Sequence, residues 1–331
     1  MPSPGQGPIG TIDIGGTKIF AVVYGPDNQE LGRKRRKTKA KKGFETVLDR
    51  AVKGLRKACE DADLSLEDLR AVGAGIPSPI LPDGTAVVAP NLGWENVPLV
   101  PELARRIGRP VYAENDCNLG TLGEYACGAG RQAELLVGLF MGTGLGGGIV
   151  FRGEMIRGAS RMSAELGHVI VLKDGREAGC GQHGCVEAYA SKTGMANKIR
   201  EAVAAGRKTV LTDKCKGDYG TLKAGALRDA YHDQDEVAVE ALHEACEFLG
   251  LAIGNYVTAL GPDVVVLGGG VIEALGEELI GRIRDAARRW AYPPASFDHT
   301  DIRFAGLGDD MVVVGAREYA RQCLAGEPDP T

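Results

Sequence analysis

The chain has 331 residues, more than one ordinary core holds and near two domains of roughly 150 residues each. Its 39 basic and 44 acidic residues give a net charge of -5, which argues against a chain-wide nucleic-acid surface and for small-molecule partners. Hydrophobic residues at 44% and charged residues at 25% exclude disordered and fibrous classes, whereas 48 glycines, about twice the usual share, point to turns and ligand loops. No apolar run approaches the ~20 residues of a membrane span, and Met1 to Pro8 lacks a basic start followed by an apolar stretch. A cytoplasmic protein is expected, with its eight dispersed cysteines as reduced thiols.

In chain order, Ile9 to Ile14 and Lys18 to Tyr24 read as strands joined by the turn Gly15-Gly16-Thr17, with a third strand after Gly25-Pro26-Asp27-Asn28. Apolar spacing predicts a helix over Phe44 to Cys59, and strands follow at Val72 to Ile76 and Val111 to Glu114. Asn115-Asp116 then leads from a strand's carboxyl end into a helix through Leu119, Leu122 and Tyr125, a usual place for ligands. Leu135 to Met141 reads as a buried strand, Gly142 to Gly148 as a glycine loop and Ile149 to Phe151 as a strand that turns at Gly153-Glu154. Strand, glycine turn, strand thus occurs twice, the pattern of a duplicated α/β unit. A helix ending at Gly261-Pro262 precedes a strand at Val264 to Leu267. Gly268-Gly269-Gly270 opens a helix toward Trp290, Val312 to Tyr319 reads as a strand running into a last helix, and the final residues are expected to fray.

Gly142-Thr143-Gly144-Leu145-Gly146-Gly147-Gly148 formally contains a dinucleotide fingerprint, yet it is followed by strand rather than helix, so a dehydrogenase is disfavoured. Its glycines still let backbone N–H groups approach an anion, and phosphate is the favoured guest over a plain bulged hairpin. Asp13 beside Gly15-Gly16-Thr17-Lys18 suits magnesium near phosphate oxygens, or an Asx-stabilised turn. Asp116 either accepts a proton from a bound hydroxyl or caps the following helix. Cys180, Cys185 and His168 suggest zinc, although a closed structural site needs four ligands and three are visible. Arg33 to Lys42 holds eight basic residues in ten, either a solvated edge strand protected by like charge or an anion-binding strip for polyphosphate or nucleic acid.

Together DIGGTKI at Asp13 to Ile19, PNLGW at Pro90 to Trp94, ENDCN at Glu114 to Asn118, GTGLGGG, ELGH and CGQHGCVE resemble the ROK family of repressors and kinases, in the right order and from about Ile9 to Ala320. The resemblance implies a two-lobed α/β fold of the actin and hexokinase type, with duplicated ribonuclease-H-like βα domains and a central sugar cleft. It puts residues 1–117 and a C-terminal helix at about 310–331 in a smaller lobe, and 118–309 in a larger one. By matching position, Asp116 is the catalytic base, and Asn91, Asn115, Asp116, Glu165, His168 and Glu187 are sugar ligands. Asp13, Gly15, Gly16, Thr17 and Lys18 match the first phosphate motif, with Gly142, Thr143, Gly144, Gly146 and Gly147 the second, and Gly269 lies toward the adenosine end. His168, Cys180 and Cys185 match zinc ligands, but Ala178 stands where the family has a further cysteine, leaving a water, Glu177 or His183 to complete the site. Ser78 likewise replaces a glycine beside the sugar.

The expected activity is transfer of the γ-phosphoryl group of magnesium ATP to the 6-hydroxyl of glucose by a homo-oligomer, a dimer by resemblance. N-acetylmannosamine, N-acetylglucosamine or fructose are alternative acceptors, and polyphosphate an alternative donor. A sugar-sensing repressor needs helices for DNA, and only eight residues precede Ile9.

Overall fold

The computed structural model describes residues 7–326, so the expected C-terminal fraying and Met1 to Gln6 fall outside it. The chain runs through β1 (Ile9–Ile14), β2 (Lys18–Tyr24), β3 (Glu30–Lys37), α1 (Phe44–Glu60), β4 (Ala71–Ile76), β5 (Ala86–Ala89), β6 (Trp94–Val97), α2 (Leu99–Ile107), β7 (Val111–Asn115) and α3 (Asp116–Cys127). It continues through β8 (Leu135–Met141), β9 (Leu145–Phe151), β10 (Glu154–Met155), α4 (Lys192–Ala204), α5 (Leu211–Lys214), α6 (Ala224–His232), α7 (Glu236–Leu260), β11 (Val264–Gly268), α8 (Gly270–Trp290), β12 (Asp301–Phe304) and α9 (Met311–Leu324).

Two compact units result: of the described residues, 7–131, 153–164 and 309–326 form the first, and 132–152 with 165–308 the second. The first unit's sheet has the order β3-β2-β1-β4-β7, antiparallel across the β1–β2–β3 meander and parallel from β1 to β4 and β7. In the second unit β9-β8-β11-β12 repeats that plan, an antiparallel hairpin followed by two parallel strands. The duplication read from the glycine turns is therefore present in the topology.

Helix α1 forms because Val47, Leu48, Ala51, Val52, Leu55 and Cys59 lie on one face, which is buried on the first sheet. The division between units falls after Arg131, not at 117, and the reason lies in α3. Gly123 of α3 and Gly315 of α9 let the two backbones touch: a Cβ on Gly123 would strike the Met311 carbonyl, and one on Gly315 the Leu119 carbonyl. The segment 153–164 also returns to the first unit, where Gln322 donates to the Gly153 carbonyl (2.9 Å) and Arg157 to the Tyr319 hydroxyl (2.8 Å).

Two expected elements differ. Val312 to Tyr319 is helix throughout, because α9 buries Val312, Val313, Ala316, Tyr319 and Ala320, and that packing overrides the strand preference of its valines. β9 begins at Leu145, so only Gly142-Thr143-Gly144 turns, while Gly146 and Gly147 pair with Phe140 and Leu139 as strand residues.

Candidate active site

In the first unit, the pairing of Ile14 with Ile19 closes β1–β2 over Gly15-Gly16-Thr17, and the Gly15 N–H donates to the Lys18 carbonyl at 3.0 Å. The turn is held from outside: Thr38 donates its N–H to the Thr17 carbonyl (2.9 Å) and its hydroxyl to the Gly15 carbonyl (2.6 Å). Asn91, exposed in the short turn Pro90–Leu92, stands against Gly16, where a Cβ would lie 3.0 Å from Asn91 Cβ. Lys18 is paired with Asp309 at 2.7 Å. Asp13, at the end of β1, has its carboxyl pushed up to about 7, first by burial and then by the charge of Asp116.

Asp116 opens α3 directly after β7. Asn115 is the N-cap, its side-chain oxygen accepting the N–H groups of Cys117 (2.9 Å) and Asn118 (3.1 Å). Capping therefore belongs chiefly to Asn115, although Asp116 also accepts the Cys117 N–H at 2.9 Å. Burial holds the Asp116 carboxyl above the usual range, against the hydrogen bonds from Cys117 that lower it. Glu114, buried, supports the corner by accepting the Asn115 N–H (2.8 Å) and the Asn118 amide (3.2 Å).

In the second unit, the turn Gly142-Thr143-Gly144 is tied to the start of α4, where Lys192 and Thr193 donate N–H groups to the carbonyls of Gly142 and Thr143, each at 3.1 Å. Glu187 accepts the Leu145 N–H at 2.9 Å, its carboxylate lying where a Cβ on Gly144 would stand. Glu165 is exposed and precedes the short helical turn Leu166–His168, which Tyr256 of α7 anchors through the Leu166 carbonyl at 2.5 Å. Just before it, Arg161 and Ala164 adopt left-handed φ values of 57° and 66°. Gly269 (φ 87°) lies where a Cβ would come 2.6 Å from the Met141 carbonyl, so only glycine fits this N-cap of α8. Val186 donates to the Val169 carbonyl at 3.0 Å, bringing the Cys185–Glu187 strip beside Glu165–His168.

The sequence model of the ROK family matches residues 9–323. The chain belongs to the ROK family. It is 33% identical over 318 residues to the glucokinase of Thermotoga maritima, covering 95% of this chain and 98% of that one. A ROK family glucokinase from Streptomyces griseus, solved in complex with glucose and AMPPNP, is 32% identical with a TM-score of 0.80, covering 96% of this chain and all of its own. A ROK hexokinase from Thermus thermophilus has a TM-score of 0.81 at 29% identity, covering 96% of this chain and 99% of that chain. The expected actin-like sugar-kinase fold is the fold of these neighbours.

Within this ROK chain the ligand atoms of His168, Cys180 and Cys185 lie within 4.8 Å of one another, with the two sulfurs 3.8 Å apart. His168 Nδ1 is buried without a hydrogen-bond partner, a state that suits a metal ligand better than a packed imidazole. The donor set fits a soft divalent ion such as zinc. Neither proposed substitute for the missing thiolate joins it: His183 turns its Nδ1 to the Gly175 carbonyl (3.0 Å), and Glu177 is outside the cluster. Gln182, not singled out from sequence, has its side-chain oxygen 3.6 Å from Cys185 Sγ, while Ala178 is buried. Sequence reading also passed over Glu114 as a support, although its place in ENDCN offered the signal, and over Thr38, which sits inside the basic run. Among the described residues no helix is long and apolar enough to cross a membrane.

Proposed function

We propose that the chain is an ATP-dependent hexose kinase, a glucokinase that moves the γ-phosphoryl group of magnesium ATP to the 6-hydroxyl of glucose. The observation that carries this reading is Asp116: a carboxylate at a strand end, its helix already capped by Asn115 and its pKa raised toward the range of a working base. Asp116 takes the hydroxyl proton as the oxygen attacks phosphorus, and the leaving ADP keeps the electron pair of the broken anhydride bond. Asn91, Asn115, Glu165, His168 and Glu187 serve as ligands for sugar hydroxyls, as the family resemblance implies. Backbone N–H groups of the turns Gly15–Lys18 and Gly142–Gly144 receive phosphate oxygens.

Asp13 fits a magnesium site, because it is a carboxylate at the end of β1 beside the Gly15–Lys18 turn whose charge, opposed first by burial and then by Asp116, a divalent cation would favour. Magnesium neutralises charge on the phosphates when bound. His168, Cys180 and Cys185 would hold zinc and thereby fix the Glu165–Glu187 segment. A homo-oligomer, with the dimer implied by resemblance, and a cytoplasmic setting belong to this reading too.

A panel of sugars with ATP and magnesium tests it. Glucose should show the highest kcat/KM, ahead of fructose, N-acetylglucosamine and N-acetylmannosamine, and chelating magnesium should stop turnover. A preference for an N-acetylated sugar would replace the acceptor while leaving the kinase reading in place.

A further inference from the structure

Lys18 is the one cation in the sequence of the Gly15–Lys18 turn, and the fold brings its partner from 291 residues away. Directly opposed residues of paired strands project from the same side of a sheet. The pairings of Asp13 with Phe20 and of Phe20 with Arg35, together with alternation along β2 and β3, therefore put Asp13, Lys18, Phe20, Arg33 and Arg35 on one face. Ile9, two alternations before Asp13, packs on that face with Ala320 of α9. The acids just ahead of α9 meet the cations there. Asp309 divides its two carboxylate oxygens between Lys18 (2.7 Å) and Arg35 (2.8 Å), and Asp310 faces Arg33 at 3.2 Å. Two arginines of the basic run are thus committed to acids.

The Lys18 and Asp309 side chains are 42% and 55% exposed, and ion pairs this open contribute little to stability. Their arrangement is nevertheless specific. The Arg35 guanidinium lies over the Phe20 ring at 4.4 Å, which fixes the group that holds one Asp309 oxygen. The hydrogen bond from Lys18 keeps the Asp309 carboxyl below the usual carboxylate range, so the acid stays charged. An ammonium carries three hydrogens. Asp309 takes one, and among the described residues no other group accepts from the Lys18 ammonium. The charge of Lys18 also reaches Asp13, where it favours the ionised carboxylate.

We propose that Asp309 is a positioning residue for the phosphoryl donor: anchored by Arg35, it holds the Lys18 ammonium beside the Gly15–Thr17 turn with two hydrogens left for phosphate oxygens. This rests on the reading that the turn receives the donor's phosphates. A lysine side chain has four rotatable bonds, and ordering it opposes binding. With Lys18 ordered beforehand by Asp309, the arriving donor no longer meets that cost. The bound donor and the transition state use the held cation alike, so its loss belongs in KM rather than in kcat.

The test is a double-mutant cycle on the whole chain, Asp309→Asn and Lys18→Met singly and together, with Asp309→Glu and Asp310→Asn beside it. Steady-state kinetics with ATP and sugar are measured next to calorimetric binding of a non-hydrolysable ATP analogue with magnesium. Asp309→Asn should raise the KM for ATP and weaken analogue binding by about fivefold, leaving kcat and the KM for sugar within about twofold and the melting temperature within about 2 °C. Asp309→Glu, which keeps the charge, should restore most of the loss. Once Lys18 is methionine, Asp309→Asn should add nothing. Asp310→Asn makes the same charge change at the same helix start, and its KM for ATP should match the parent's.

Unchanged or tighter donor binding in Asp309→Asn, an equal loss from it in the Lys18→Met background, or an equal effect of Asp310→Asn would each overturn the proposal. So would kcat, both KM values and the melting temperature failing together, the mark of a structural role. A parent that binds the analogue but phosphorylates no sugar sinks the kinase reading alone, and the binding cycle then decides on Asp309. A parent that does not bind the analogue overturns both.

Discussion

Asp13 and Asp116 share one sheet's carboxyl end, and burial opposes the charge of each before they repel one another. Between the ordinary aspartate value of 3.8 and about 7, the folded chain keeps a proton on Asp13 that the unfolded chain has released. Stability from this group is thus fully present below about pH 4 and lost as pH rises through 7. Without divalent cations, Asp13→Asn should melt roughly 5 °C above the parent at pH 8 and show no gain at pH 4, a comparison that calorimetry makes directly. Asp116→Asn should lower kcat by roughly 100-fold or more with the circular dichroism spectrum and sugar affinity kept. A folded variant of full activity would remove Asp116 from its role. In the parent, the acid limb of kcat/KM should lie above the ordinary aspartate range, following the raised pKa of Asp116. The residues carrying charge were legible in sequence because chemistry limits which types can serve. Their supports were not: Glu114 and Thr38 act through single hydrogen bonds across the fold, which no local spacing encodes.

Hairpins closed by glycine turns and amphipathic helices follow from short-range rules, which is why β1–β2, α1, α7 and β11 could be placed from sequence. The helix α9 could not, since its Val312-Val313-Val314 run favours strand and only contact with α3 decides otherwise. That contact is narrow. Gly315→Val should cost about 2–4 kcal/mol, because the Leu119 carbonyl occupies the space a side chain needs and two backbones must separate. Denaturant midpoints at unchanged slope would measure it, and a cost within 0.5 kcal/mol of the parent, the usual scatter of surface changes, would show the crossing to be looser than described. The second glycine motif was read as one loop for a related reason: Gly146 and Gly147 look like turn residues, yet a Cβ on Gly147 would meet the Gly138 carbonyl at 2.8 Å and Leu166, so tight strand packing explains that glycine.

At the level of the whole molecule, the repeated sheet plan accounts for about 331 residues forming two cores, and the sequence signalled it only through the two turns. The unit boundary was invisible because it depends on where α3 finds its partner some 190 residues later. The second unit makes its own prediction. Protein purified without chelator should carry one zinc per chain, and Cys180→Ser should lose it; metal-free protein from such a preparation would leave His168 Nδ1 needing another partner. With three protein ligands that zinc should leave to a chelator more readily than from a closed four-ligand site. The position of β3 has a consequence of a different kind. It is the outermost strand of its sheet, with one row of backbone groups that no other strand pairs among the described residues, although Arg50 takes the Lys37 carbonyl, and eight residues make a long template for another chain to join. Repulsion between like-charged strands on two molecules blocks that pairing, so the lysines and arginines keep the protein from adding to itself. Replacing Lys34 and Arg36 by threonine, a residue that favours strands, should leave the melting temperature nearly unchanged while light scattering reveals open-ended, concentration-dependent growth that raising the ionic strength brings out in the parent as well.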